Sequence, residues 1–405
     1  MSKTVRVPLR PSMQSFHTST ASRLALAFLL FLLTSSRQWC HAAQAKPSDC
    51  TTPLSSAEVI KNLDTARTPA TPFLMDENRV GVTFLDNRRL IAYEVAVDSG
   101  RFSSREGPGI SSSFRLHAYV LDATSGKMEF SKEWGTRPHE SLILNTSGGI
   151  LVRTGDLLRL HSKDFSEVQQ MPLSHPDPYE GWEVSTSASG RTILINHYIR
   201  TSKPRVDVSR LELLDGSTFQ AERSWVESPA LKAGDGYWIS DTAMIRHQYS
   251  HGAYNTILSD LGSKLWKPVW KESENNCGST FVTDAMFVYG CRQLSLVTTK
   301  GAVVFTDNFD KGEARSWKIA TAQNAQAIAV SLNRSKGTDL WDTGKGIQIV
   351  ATRLVVYDLS LKKRVLIVEI APLPKNDYDF ALSPDGSKLA ILNDRRVSVC
   401  STRVP

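Results

Sequence analysis

Two short aspartate motifs are the first places in this chain where chemistry could sit: Asp98-Ser99-Gly100 and Asp342-Thr343-Gly344. Two adjacent carboxylates resist ionising together, so such a pair can share one proton and activate water. That arrangement uses apolar strand context after each glycine, and here Arg101 and Lys345 follow inside polar segments. Asp with Ser, Thr and Gly also forms tight turns through local hydrogen bonds, and turns are the reading we take. His247 and His251 stand four apart, the spacing that places two metal ligands on one helix face. Gln248-Tyr249-Ser250 between them and Gly252 after them describe a loop or strand edge instead. A serine nucleophile elbow needs G-x-S-x-G between strand and helix, and the sequence has none. A phosphate loop would place Gly at position 339 and Ser or Thr after Lys345; the residues there are Asp339 and Gly346. The expectation is a chain with no catalytic residue, no metal site and no cofactor.

The elements that must position any site repeat along the chain. One unit is a strand, a tight turn carrying Asp or Ser with Gly or Lys, and a second strand. It occurs around Asp122, Ser162, Asp215, Asp260, Lys300 and Asp358, in steps of 40, 53, 45, 40 and 58 residues. Those steps bracket the roughly 40–50-residue period of four-stranded propeller blades. A second unit, two apolar strands about a polar turn, lies upstream of most markers. Its copies include Val82–Ile91, Leu142–Leu151, Val184–Leu194 and Phe380–Leu392. Turn residues flanked by β-branched and aromatic residues make these hairpins. The sequence therefore predicts an all-β fold, a β-propeller of seven four-stranded blades, with six or eight as the alternatives. The blades fall near 82–134, 140–173, 183–225, 234–270, 278–309, 325–370 and 377–405. Trp134, Trp225 and Trp270 follow Asp markers and are expected to pack neighbouring blades rather than form a ligand belt.

Ser383-Pro384-Asp385-Gly386-Ser387-Lys388-Leu389-Ala390 resembles the S-P-D-G turn of WD40-like bacterial propellers, and Asp122–Lys127 and Val356–Leu359 resemble their outer hairpins. The resemblance covers about residues 80–405 weakly and the last blade well. It implies architecture and no activity, because propellers host many functions. The Gly-His and Trp-Asp signatures of eukaryotic WD40 repeats are missing at the expected places, since Trp341-Asp342 falls in a Gly-rich insertion. Asp122–Lys127 also resembles the repeat of quinone-dependent dehydrogenases, in one copy only. A propeller enzyme (quinoprotein-like dehydrogenase, hydrolase or lyase) is thus the second reading of function.

The first reading is a binding or protein-interaction scaffold. Loops entering the innermost strands gather at one end of the central channel. There the sequence offers His139, Tyr179, Trp182, Tyr237, Trp238, Asp377 and Tyr378. Aromatics beside polar groups anchor protein, peptide or glycan ligands, although they can equally plug the channel.

The chain ends set the compartment and the ring closure. Of 48 basic residues, Lys3, Arg6, Arg10, Arg23 and Arg37 lie in residues 1–45, which hold no acid. The remaining 43 against 41 acidic residues nearly cancel, so the net +7 does not argue for nucleic acid. Residues 1–45 read as a secretory signal with the apolar run Leu24–Leu33 and small-residue sites at Ala42 and Ala45. Ten apolar residues are too few for the roughly 20 of a bilayer span. A secreted or periplasmic monomer without a membrane segment is expected. Residues 46–78 should hold a short helix opened by Ser55-Ser56-Ala57-Glu58 and a closing strand, and residues 79–405 the propeller. Cys50, Cys277, Cys291 and Cys400 remain, an even number suited to disulfides in an exported chain. The last blade offers three strands and the N-terminal segment is the unassigned source of a fourth. The expected pairs are therefore Cys50–Cys400 and Cys277–Cys291. Asn145-Thr146-Ser147 and Asn333-Arg334-Ser335 are glycosylation sequons, meaningful only in a eukaryotic secretory pathway.

Overall fold

Period-2 alternation of β-branched and aromatic residues gives antiparallel hairpins throughout, and the hairpins assemble into seven sheets. The computed structural model describes residue 50 and residues 80–402, apart from the segments 98–113, 137–140, 174–180, 201–206, 228–236, 251–252, 264, 273–278, 325, 337–347, 372, 374–377 and 394–395. No helix occurs among the described residues, and the short helix expected near Ser55 lies outside them.

Six sheets have four strands and the seventh has three among the described residues. In every sheet the strands pair in chain order, so each blade is a meander. The blades run Val80–Thr136, Ser141–Pro172, Gly181–Glu227, Trp238–Glu272, Thr280–Asn308, Glu313–Glu369 and Tyr378–Ser401. Six of these match the expected boundaries closely. The sixth begins at Glu313 rather than near residue 325, because its innermost strand Glu313–Thr321 carries Glu313, Arg315 and Lys318 and so lacks apolar alternation. Arg315 is nonetheless fully buried, its Nε donating to Gly290 O (2.9 Å) and its Nη1 to Ser316 O (3.2 Å).

Seven buried apolar clusters fill seven joints, each built from two neighbouring blades. One joins Val82, Phe84 and Leu90 of the first blade to Ala381, Ala390 and Leu392 of the last, so the ring is closed. The tryptophans serve these joints. Trp134 packs on His161 and Phe165 of the second blade, Trp225 joins Tyr237 and Ile239 of the fourth, and Trp270 meets Tyr289 of the fifth.

The repeated Asp turns lie between third and fourth strands. Asp122 Oδ1 accepts from the N–H groups of Thr124 and Ser125, and Asp215 Oδ1 from those of Ser217 and Thr218. The first-to-second-strand turn of the last blade works alike. Ser383 Oγ donates to Asp385 Oδ1 (2.7 Å), and Gly386 takes φ +72°, a conformation glycine adopts without cost. Each four-stranded blade also carries one extra outer-strand residue opposite its third strand: Glu129, Val168, Glu222, Val269, Val304 and Val365. Such bulges increase the local twist.

The ring is also tied covalently. Cys50 and Cys400 form a disulfide across 350 residues, and Cys50 packs in the cluster shared by the sixth and seventh blades. Cys400 lies on Arg396–Ser401, the outer strand of the described seventh sheet, and the disulfide brings Cys50 within 5.2 Å Cα to Cα of it. The closing strand itself falls outside the described residues. Cys291 is also disulfide-bonded, and its expected partner Cys277 lies outside them as well.

Candidate functional site

All seven innermost strands contribute to the wall of one axial cavity of about 1090 Å³. This is the central channel. Its wall is mostly aliphatic and aromatic, interspersed with uncharged hydrogen-bonding residues that include Thr83, Asn145, Ser185, Thr280, Asn333 and Thr352.

Lys318 and Asp379 are the charged residues of that lining among the described residues. They pair with each other. Asp379 Oδ2 also accepts from the Val82 N–H (2.8 Å). One buried carboxylate therefore ties the innermost strands of the sixth, seventh and first blades, across 297 residues in its bond to Val82. Lys318 Nζ also lies 5.3 Å from the centre of the Phe380 ring, a cation–π contact. Nearby, burial and then the Asp379 charge push the Tyr93 hydroxyl well above its usual range. Glu183, two residues up its strand from Ser185 and outside the lining, has its carboxyl raised by burial against a lowering hydrogen bond from Asn196.

The end where innermost strands finish is cross-braced. At six of the seven joints, the turns between first and second strands, or the strand ends beside them, hydrogen-bond across neighbouring blades. Asn145 Nδ2 donates to Thr83 Oγ1 (2.9 Å), and the Ser147 N–H to Gly190 O (2.8 Å). Arg191 and Ser189 bind Asp241, whose own N–H donates to Asp284 Oδ1 (2.8 Å). Asn324 N–H donates to Pro384 O (3.0 Å), and Asp385 N–H to Asn87 Oδ1 (3.0 Å). Gly190 is required here: a Cβ on it would lie 2.8 Å from the Thr146 backbone, and its φ is +72°. The joint between the fifth and sixth blades is held elsewhere, by Arg315 and by Asp307 with Tyr357 and Arg364.

The opposite end, where innermost strands begin, receives the residues expected at the channel mouth. Trp238 lines the cavity, half-buried, with its ring edge-on to His247 at 4.9 Å. Tyr378 also lines it and donates its hydroxyl to Ser331 Oγ (3.4 Å). Tyr237 reaches the wall yet is only 2% exposed, because Trp225 and Trp266 pack round it and its hydroxyl donates to Glu227 Oε2 (3.0 Å). Trp182 stacks on His197 at 3.9 Å and lies outside the cavity lining. His139, Tyr179 and Asp377 lie outside the described residues. Sequence reasoning missed the rest of this rim: Ile349 and Leu373 line the mouth while 41% and 40% exposed. Apolar residues on a projecting hairpin and a blade-to-blade connection give no repeat signal.

His247 is 2% exposed. Its Nδ1 pairs with Thr256 Oγ1 (3.2 Å) and its Nε2 with Ser279 Oγ (3.1 Å). Burial and the Arg315 charge lower its pKa to about 4. Ser279 is equally buried, so this serine–histidine contact holds the joint of the fourth and fifth blades and meets no solvent-borne substrate. His251, Asp98 and Asp342 lie outside the described residues. Of the two sequons, Asn145 has its amide nitrogen engaged across a blade joint, and Asn333 accepts from Thr352 Oγ1 (2.9 Å) inside the cavity lining.

No family model matches the chain, and no curated protein matches it. Among solved structures, the chain is similar to the C-terminal WD40 domain of Sif2, at 14% identity and TM-score 0.45 over 81% of this chain and 96% of that one. It is also similar to a chain of the mitotic checkpoint complex, at 12% identity and TM-score 0.43 over 82% and 92%. A third likeness is to acylaminoacyl peptidase of Pyrococcus horikoshii, at 8% identity and TM-score 0.48 over 78% of this chain and 48% of that one. The seven sheets, filled joints and axial cavity themselves make the chain a β-propeller.

Proposed function

We propose that this chain is an extracytoplasmic binding scaffold that takes its ligand into the central channel from the end where the innermost strands begin. The observation that carries this reading is the channel itself. A cavity of about 1090 Å³, walled by every blade, meets Trp238, Tyr378, Ile349 and Leu373 at that end. Ligand sites are concave and combine apolar and aromatic walls with a few placed polar groups, and this cavity has that composition. The apolar run and small-residue sites in residues 1–45 support export, and the Cys50–Cys400 disulfide suits an oxidising compartment.

The test uses the exposed rim, which can change without disturbing the core. Wild type and the double variant Ile349→Ser with Leu373→Ser are melted against a panel of oligosaccharides and short peptides. The expected result is a ligand that raises the wild-type melting temperature and has a weaker effect on a rim variant with an unchanged melting temperature of its own. A ligand that stabilises both proteins equally contradicts the channel reading.

A further inference from the structure

We infer that the channel takes the end of a neutral oligosaccharide, held between Trp238 and Tyr378. This rests on the channel reading above and narrows it to one ligand chemistry. Trp238 opens the innermost strand of the fourth blade and Tyr378 that of the seventh, and both line the cavity. Three blades apart in a ring of seven, they stand on opposite walls. An aromatic face carries negative charge density and attracts the C–H edge of an apolar surface. A pyranose presents such C–H faces and a girdle of hydroxyls. Between the two aromatics the wall supplies groups that match the girdle. The Thr280 and Ser185 hydroxyls can donate and accept, rotating to suit a partner, and the Asn333 amide nitrogen can donate while its oxygen accepts from Thr352.

The charge of the wall sets the class. Its ammonium and carboxylate neutralise each other, and the carboxylate is further committed to the Val82 N–H. A linear chain threads a closed ring end-first. A peptide end carries an ammonium or a carboxylate, which would lose water against a wall whose described residues offer no uncompensated charge to receive it, at high cost. The end of a neutral glycan brings no charge and loses only hydroxyl hydration, which the wall replaces.

The full-length chain is titrated calorimetrically with cellotetraose, maltotetraose, xylotetraose and chitotetraose, at low and high salt. At least one is expected to bind saturably, with an affinity that does not move with salt because no charge pair forms. Trp238→Ala and Tyr378→Ala should each weaken it about tenfold. Trp238 also touches His247, so the exposed pair Ile349→Glu and Ile349→Lys provides a measurement free of folding effects. Opposite charges at the rim leave a neutral sugar's affinity equal in the two variants and split that of any charged ligand. No binding of any of the four sugars at millimolar concentration overturns the inference. So does a tightest ligand whose affinity splits between the two Ile349 variants. If a peptide then binds and the Ile349→Ser, Leu373→Ser variant weakens it, the channel reading stands without the glycan. If neither aromatic substitution nor either rim variant affects the bound ligand, the channel reading falls too.

Discussion

The two ends of the channel are built to different rules. Where the innermost strands finish, short turns and strand ends lock blade to blade through backbone, carboxylate and side-chain amide hydrogen bonds at six of the seven joints. Where they begin, the wall includes Trp238, Tyr378, Ile349 and Leu373, and four of the six connections between blades run to seven residues or more. In the first, second and last blades the innermost-strand turns span Leu85–Arg88, Ser147–Gly148 and Ser383–Ser387. At the opposite end, the second and third strands of the first blade are separated by residues 98–113 and those of the sixth by 337–347. Binding residues gather on variable loops that a rigid frame positions. On the channel reading proposed above, the difference marks one end as frame and the other as site.

Opening the ring would erase the contrast, and it carries the largest expected effect. Cys400→Ser removes a tie across 350 residues. In the chain-entropy picture the loss approaches about 5 kcal/mol. Denaturant unfolding should show it, and with reductant added to both, wild type and variant should unfold alike.

Acid should loosen the site end next. His247 has a folded pKa of about 4 against 6.5 in the unfolded chain, so the unfolded state binds more protons between those values. Stability is therefore full above about pH 6.5 and falls as pH drops towards 4, by at most about 3 kcal/mol. His247→Gln should flatten that slope in a pH series of melts. An unchanged slope would mean the titration belongs elsewhere.

At the frame end, Asp241→Ala strands Ser189 and Arg191 and breaks one link of the belt. About 2 kcal/mol of lost stability is expected from denaturant unfolding, with ligand affinity unchanged. The mirror experiment gives the smallest effect. Ile349→Ser with Leu373→Ser should change stability by less than about 0.5 kcal/mol while weakening the ligand. Equal stability losses from the two ends would remove the distinction.

Much of this frame was legible because it is local and repeated. Asp122, Asp215 and Asp358 mark outer turns whose hydrogen bonds stay within three residues, so they recur as sequence. The Cys50–Cys400 pair could be read because a missing strand and two chain ends left one economical closure. The innermost strand of the sixth blade could not, since a buried Arg315 reads as a surface residue until Gly290 O is seen accepting from it. The Asp379 clamp joins positions 297 apart in its link to Val82, and no periodicity announces such a contact. The bulges were equally silent, because Glu129 and Val168 are unlike each other and share only a place in the register. At the mouth, the aromatic positions were readable as residue types. Their division into Trp238 and Tyr378 on the cavity wall, Trp182 stacked on His197 and Tyr237 sealed against Glu227 depends on packing between blades.

The contrast between the two ends can be measured directly by residue-resolved hydrogen exchange on the ligand-free chain. The amides of Ser147, Gly148, Asp241, Asn324 and Asp385 donate across blade joints at the frame end. The account predicts that they exchange only through global unfolding, with the free energy and denaturant dependence of the whole ring, while amides at the site end exchange by local opening. Exchange of the frame-end amides by local opening, as fast as at the site end and independent of denaturant, would contradict it.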